Sequence, residues 1–163
     1  MKVLGIDPGT AACGYGIVHE SDGRLRAVVH GCLRTDARAR PAARLKTIFD
    51  AVTALIEEHA PAAVALEESY VGADARIALS VGQARGAVLV AGASAGLDCA
   101  EYAPAVVKQS VCGYGRADKA QVGRMVKAIL GLREPPRTDH ASDALAVAIC
   151  HALGSPLLRR AAS

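Results

Sequence analysis

Val3-Leu4-Gly5-Ile6-Asp7-Pro8-Gly9-Thr10 is the stretch on which the reading of this chain turns. Its apolar positions and glycine predict a short strand buried on both faces. Pro8-Gly9 ends that strand, because proline cannot donate to a sheet ladder and the pair favours a turn. Asp7 is thereby placed at the carboxyl end of a central strand, where open α/β sheets hold their ligands. A carboxylate there is costly unless it is paired or holds a metal. An isolated Asp-Pro-Gly also fits a simple turn cap. The decision falls to the companions that the rest of the chain supplies.

Beyond the turn, Cys13 to His19 reads as a second strand, and Ser21-Asp22-Gly23-Arg24 is a hairpin signal leading to a third over Leu25 to Thr35. These elements form an antiparallel meander. After Pro41, Leu45, Ile48, Phe49, Val52, Leu55 and Ile56 recur at helical spacing. Ala63 to Leu66 predicts another buried strand, and it too ends in acid, at Glu67-Glu68. A looser segment over residues 69–74 precedes a long Ala-rich helix from about Ala75 to Ala95, whose Gly82, Gly86 and Gly92 suggest close packing against another backbone. Leu97 to Tyr102 is a last strand, and Pro104 opens a helix. Asp118 caps a helix through Leu130, and Thr138 or Asp139 caps the final one, which ends at Leu153.

A chain of 163 residues with 52% hydrophobic composition suits one globular domain with a proper core. We expect that domain over residues 1–155, with 156–163 as a flexible tail. No run reads as long and apolar enough to span a bilayer, no signal peptide is evident, and no membrane partner is expected. The five cysteines lack a Cys-x-x-Cys spacing and suit reduced thiols in a cytoplasmic protein. Residues 1–102 carry 10 Lys and Arg against 12 Asp and Glu, whereas residues 103–163 carry 9 against 4. The C-terminal part is thus suited to a polyanion, or simply to a solvated basic face.

The order of elements predicts an α/β fold: a mixed five-stranded sheet, an antiparallel three-strand meander plus parallel strands, with helices on both faces. A right-handed crossover sets the strand ending in Glu67 beside the strand ending in Asp7. His140 and Asp143, three apart on the final helix, face the same way. If that helix crosses the strand ends, four ligands meet. Such groups repel or desolvate one another unless divalent cations neutralise them. Two cations about 4 Å apart in an oxygen-rich site are how nucleases stabilise the attacking and leaving oxygens of a phosphodiester.

The motifs occur in an order that resembles RuvC-type Holliday junction resolvases of the RNase H-like superfamily. Leu4 to Thr10 with Gly14-Tyr15-Gly16 is similar to that family's opening motif, and Ala65-Leu66-Glu67-Glu68 to its second acidic strand. Gly82-Gln83-Ala84-Arg85-Gly86 matches its long helix. Val107-Lys108-Gln109, Gly113-Tyr114-Gly115 and Asp118-Lys119 resemble its DNA-binding segment, and Asp143-Ala144-Leu145-Ala146 its closing acidic helix. The resemblance implies an RNase H-like homodimer that binds a four-way DNA junction and nicks two strands symmetrically, leaving 5′-phosphate and 3′-hydroxyl ends. It also implies work with a branch-migration complex of RuvA and RuvB type.

On that resemblance Asp7, Glu67, His140 and Asp143 are the catalytic and metal-binding residues, with two Mg2+ or Mn2+ ions expected. Mn2+ is favoured, because His140 stands where many relatives carry Asp and imidazole suits manganese better than magnesium. Asp139 is the alternative fourth ligand, being four residues before Asp143. Lys108 and Lys119 are expected phosphate contacts, Tyr70 an aromatic wedge in the junction, and Arg76 and Arg85 either backbone contacts or surface charges. A sugar kinase or actin-like ATPase would share the sheet but needs two lobes. A nuclease of ribosomal RNA ends and a non-catalytic junction-binding dimer are rival readings.

Overall fold

β1 (Lys2–Asp7) is the middle strand of a five-stranded sheet ordered β3-β2-β1-β4-β5. The computed structural model describes residues 1–68 and 74–154. β2 (Ala12–Ser21) pairs antiparallel with β1, and β3 (Arg24–Arg34) antiparallel with β2. At the hairpin tip Asp22 and Gly23 both take positive φ, 53° and 74°, as a tight two-residue turn requires. β4 (Ala63–Glu67) lies parallel to β1, and β5 (Asp98–Tyr102) parallel to β4. The expected meander with parallel strands added is the observed sheet.

α1 (Pro41–His59) and α2 (Ala75–Ser94) cover one face, where Leu4, Ile6, Ile17, Val64 and Leu66 meet Ile48, Val52 and Val88. Each large side chain buried there contributes roughly 1.5–3 kcal/mol. α3 (Pro104–Cys112), α4 (Lys119–Leu130) and α5 (Asp139–Leu153) cover the other face. Thr138, not Asp139, caps α5 by accepting a hydrogen bond from the Ala141 amide. Asp118 and Gln121 close a reciprocal capping box on α4.

α5 is the most enclosed helix, and its approach to the sheet depends on glycine. A Cβ at Gly5 would drive into the Ala144 carbonyl oxygen, and one at Gly14 into that of His140. No side chain fits either position, so the helix backbone rests on the strand backbone.

Two expectations about α2 change. Of its three glycines only Gly92 abuts a neighbour, Cys99 and Val64 on the adjoining strands; Gly82 and Gly86 face open space. Among the described residues the close-packing reading therefore fails for the first two, and Gly92 meets side chains rather than another backbone. Over an 18-residue window α2 has a mean hydropathy of 1.3, enough by length and composition to cross a membrane, although the sequence reading found no such run. Interrupting Arg76, Gln83 and Arg85 hid it. Ala84, Val88, Ala91 and Gly92 are buried against the sheet, and Arg85 pairs with Glu101 of β5, so α2 is a layer of this fold.

Candidate active site

Asp7 and Gly5 alternate with Leu4 and Ile6 along β1, so the carboxylate points to the α5 face. The β1–β4 register matches Gly5 with Ala65 and Ile6 with Leu66. One residue further, Glu67 stands beside Asp7 on the same face. α5 then delivers the rest. Gly14, paired with Asp7 across the ladder, admits the His140 backbone, and the His140 ring reaches back to Asp7, Nδ1 to Oδ2 at 2.7 Å. Asp143, one helical turn along, accepts a hydrogen bond from Lys119 Nζ at 3.3 Å on Oδ2.

The electrostatics match this crowding. Burial pushes the Glu67 carboxyl up to about 7, and the charges of Asp143 and Asp7 push the same way against Lys108 and Lys119. Asp7 is also raised, first by burial; the His140 hydrogen bond opposes that and the Asp143 charge adds to it. Lys119 is raised chiefly by Asp143. Asp7 and Glu67 thus lie in a half-buried edge where the neighbouring cationic groups do not offset the cost of ionising them. Among the described residues no three His, Cys, Asp or Glu side chains stand close enough as placed to enclose a metal ion. The cluster is open, its members within electrostatic reach of one another.

The remaining expected residues divide. Lys108, on α3, and Lys119, first residue of α4, both bear on Glu67. Arg76 lines a groove of about 370 Å³ with Gly9, Thr10, Ile77, Ser80 and His140, next to the carboxylates. Arg85 is elsewhere: it pairs with Glu101 on the α2 face of the sheet. Asp139 begins α5, and it is His140, not Asp139, that touches Asp7. Tyr70 and the tail from 155 lie outside the described residues.

One set of contacts at the site had no signal in the sequence. Thr35 Oγ1 accepts from Arg44 Nε at 2.8 Å and donates to the Thr10 carbonyl at 2.5 Å. Thr10 Oγ1 and Ser80 Oγ share a hydrogen bond of 2.5 Å. These partners come from α1, the residue just after β3, the turn after Asp7 and α2, and no local spacing relates them.

Comparison with known proteins shows the family. The model of the crossover junction endodeoxyribonuclease RuvC matches residues 3–151. The RuvC of Moorella thermoacetica is 52% identical over 160 residues, covering 98% of this chain and 96% of that protein. The Heliobacterium modesticaldum protein of the same name is 51% identical over 150 residues, covering 92% and 93%. Among solved structures, Thermus thermophilus RuvC superposes with a TM-score of 0.87 at 37% identity, covering 99% of this chain and 98% of that one. The same protein in complex with Holliday junction substrate gives 0.86 at 37% identity, with 93% of each chain covered.

Proposed function

The chain belongs to the RuvC family of crossover junction endodeoxyribonucleases, and on that premise we propose that it resolves Holliday junctions by symmetric paired nicks. The observation that carries the reading is the meeting of Asp7, Glu67, His140 and Asp143 at one sheet edge with Lys108 and Lys119 beside them. A non-catalytic binding module has no need to gather carboxylates that raise one another's proton affinity.

Family membership implies dependence on a divalent metal, and the donor chemistry fits one. Hard carboxylate oxygens that are electrostatically under-compensated are relieved by a divalent cation. Asp7, Glu67, His140 and Asp143 are the residues that would hold it, as two Mg2+ or Mn2+ ions with Mn2+ favoured. When bound, such ions supply the charge that stabilises the attacking and leaving oxygens of an in-line displacement at phosphorus. The chain's own residues do the rest. Lys108 and Lys119, which both bear on Glu67, contact phosphates close to the cut, and Arg76, which lines the groove beside His140, contacts the DNA backbone. Release of Lys119 from Asp143 accompanies its capture of phosphate.

Two sites on one junction call for two copies of the chain. α2 supports that assembly: Leu79 and Val90 are 66% and 57% exposed, and Gly82 and Gly86 between them face open space. The four share one side of the helix, opposite buried Ala84 and Val88. A second copy's helix would cover this stripe closely, the small residues admitting its backbone. A branch-migration complex of RuvA and RuvB type as partner, and a cytoplasmic location, follow from the same reading. Incubation with a synthetic four-way junction, and with duplex, single-stranded and RNA controls, tests it. Paired, ligatable nicks on the junction alone are expected; preferential cutting of RNA ends would replace the reading with a ribonuclease.

A further inference from the structure

We propose that Ser80 is a positioning residue: its hydrogen bond to Thr10 ties α2 to the turn that follows Asp7 and so sets where that carboxylate stands. The proposal rests on the nuclease reading for its kinetic readout only. The turn over residues 8–11 begins directly after Asp7, so any shift of the turn is passed to the Asp7 backbone. On one side the turn is fixed by Thr35, whose amide donates to the Ala11 carbonyl at 3.2 Å and whose hydroxyl donates to that of Thr10. Arg44 Nε donates to Thr35 Oγ1, so the only proton of that hydroxyl is committed to Thr10.

On the other side the turn is held by Ser80 through the Thr10 side chain. Both hydroxyls are part-buried, which limits the water available to replace either partner. The chain of contacts therefore runs from α1 through Thr35, just after β3, and the turn to α2. Arg76 and Ile77 on α2 belong to the wall of the groove that His140 also lines. Loosening the Thr10–Ser80 contact frees that wall and the Asp7 turn together. The same helix carries the stripe proposed to meet a second copy, so the contact also links that interface to the catalytic edge.

Single-turnover nicking of a synthetic junction by wild type, Ser80→Ala, Ser80→Thr, Thr10→Ala and the Thr10→Ala/Ser80→Ala pair reads the claim. Ser80→Ala is expected to slow nicking roughly tenfold, because small displacements of a reacting group are costly in rate, while junction affinity, shared among many phosphate contacts, falls by much less. Ser80→Thr keeps the hydroxyl and restores the rate. The double variant is no slower than either single one, as for two groups acting through one contact. Backbone order parameters of residues 9–11 are expected to fall in Ser80→Ala and recover in Ser80→Thr, with or without DNA. Wild-type nicking and an equally rigid turn in Ser80→Ala overturn the proposal, as does a parallel loss of affinity and rate, or failure of threonine to rescue. Should wild type not cut the junction, the nuclease reading falls and the order parameters still decide the role of Ser80.

Discussion

Toward α5 the central strands present Gly5, Gly14 and Gly16; toward α1 and α2 the same strands present Leu4, Ile6 and Ile17. The bulky face holds its helices at side-chain distance and buries most of the large aliphatic groups of β1. The glycine face brings a helix down until backbone meets backbone, and the acidic edge exists only because of that approach. The chemistry thus sits on the glycine side, which also buries a core of its own around Val3, Val18, Leu145 and Ile149. Core substitutions on the bulky side should cost folding, and those at the glycines under α5 should cost catalysis as well.

Loss of the edge itself is the sharpest test of this division. Asp7→Asn, Glu67→Gln and Asp143→Asn are each expected to slow nicking roughly a thousandfold or more, since each removes charge that would hold the metal. Junction binding, measured by mobility shift, should survive, because it comes largely from phosphate contacts elsewhere. Any of the three nicking near wild-type rate would remove the edge from catalysis.

Next comes a pair of substitutions on opposite faces. Gly14→Ala drives a methyl into the His140 carbonyl and should cost about 1–3 kcal/mol of stability, with nicking down roughly a hundredfold. Ile48→Ala on the bulky side should cost about 2–5 kcal/mol and leave the nicking rate per folded molecule unchanged. Denaturant melts and single-turnover assays on the same preparations check both. Similar loss of rate in the two variants would break the comparison.

The acidic edge should also weaken the metal-free fold. Glu67 has its carboxyl raised from 4.5 to about 7. Its ionisation therefore opposes folding: the penalty is absent below pH 4.5, grows between 4.5 and 7, and is complete above 7. With solvent screening, Glu67→Gln should gain about 1–2 kcal/mol at pH 8 in chelator and nothing at pH 4. Thermal melts at the two pH values read this, and a destabilised Glu67→Gln at pH 8 would contradict the electrostatic account.

Smaller effects concern the edge's surroundings. Lys108→Ala and Lys119→Ala should each flatten the salt dependence of junction binding by about 0.9 in log–log slope; an unchanged slope in both returns them to ordinary surface lysines. The ratio of Mn2+- to Mg2+-supported nicking should exceed one in wild type and fall in His140→Asp, because a carboxylate restores the hard oxygen that magnesium prefers. An identical ratio in the two proteins would remove His140 from the ligand set.

Much of this architecture was legible without coordinates. Period-two patterning, Asp22-Gly23 and the run of proline and glycine after Asp7 marked the meander, and the acidic ends of two buried strands marked the edge. The i, i+3 spacing of His140 and Asp143 put them on one side of α5. The ungapped match to the family's closing motif already favoured His140 over Asp139, although both spacings are allowed on a helix; the structure adds that α5 lands on Gly14 and brings the His140 ring to Asp7. Arg85 shows the reverse: its place in a recognisable motif left backbone contact and surface charge both open, and Glu101, sixteen residues on, takes its guanidinium on the α2 face of the sheet.

What the sequence determined by itself was everything set by neighbours along the chain: strand period, turn chemistry, helix caps and the kinds of residue at each strand end. What only the tertiary structure decided was which distant groups meet. The glycines of α2 look alike in sequence, yet Gly92 packs on Cys99 while Gly82 and Gly86 face outward. Thr10 and Ser80 are 70 residues apart and share one hydrogen bond. Local patterns reflect backbone sterics acting over a few residues. Long-range contacts depend on how closely whole elements pack, and here that distance is set by the presence or absence of a single Cβ.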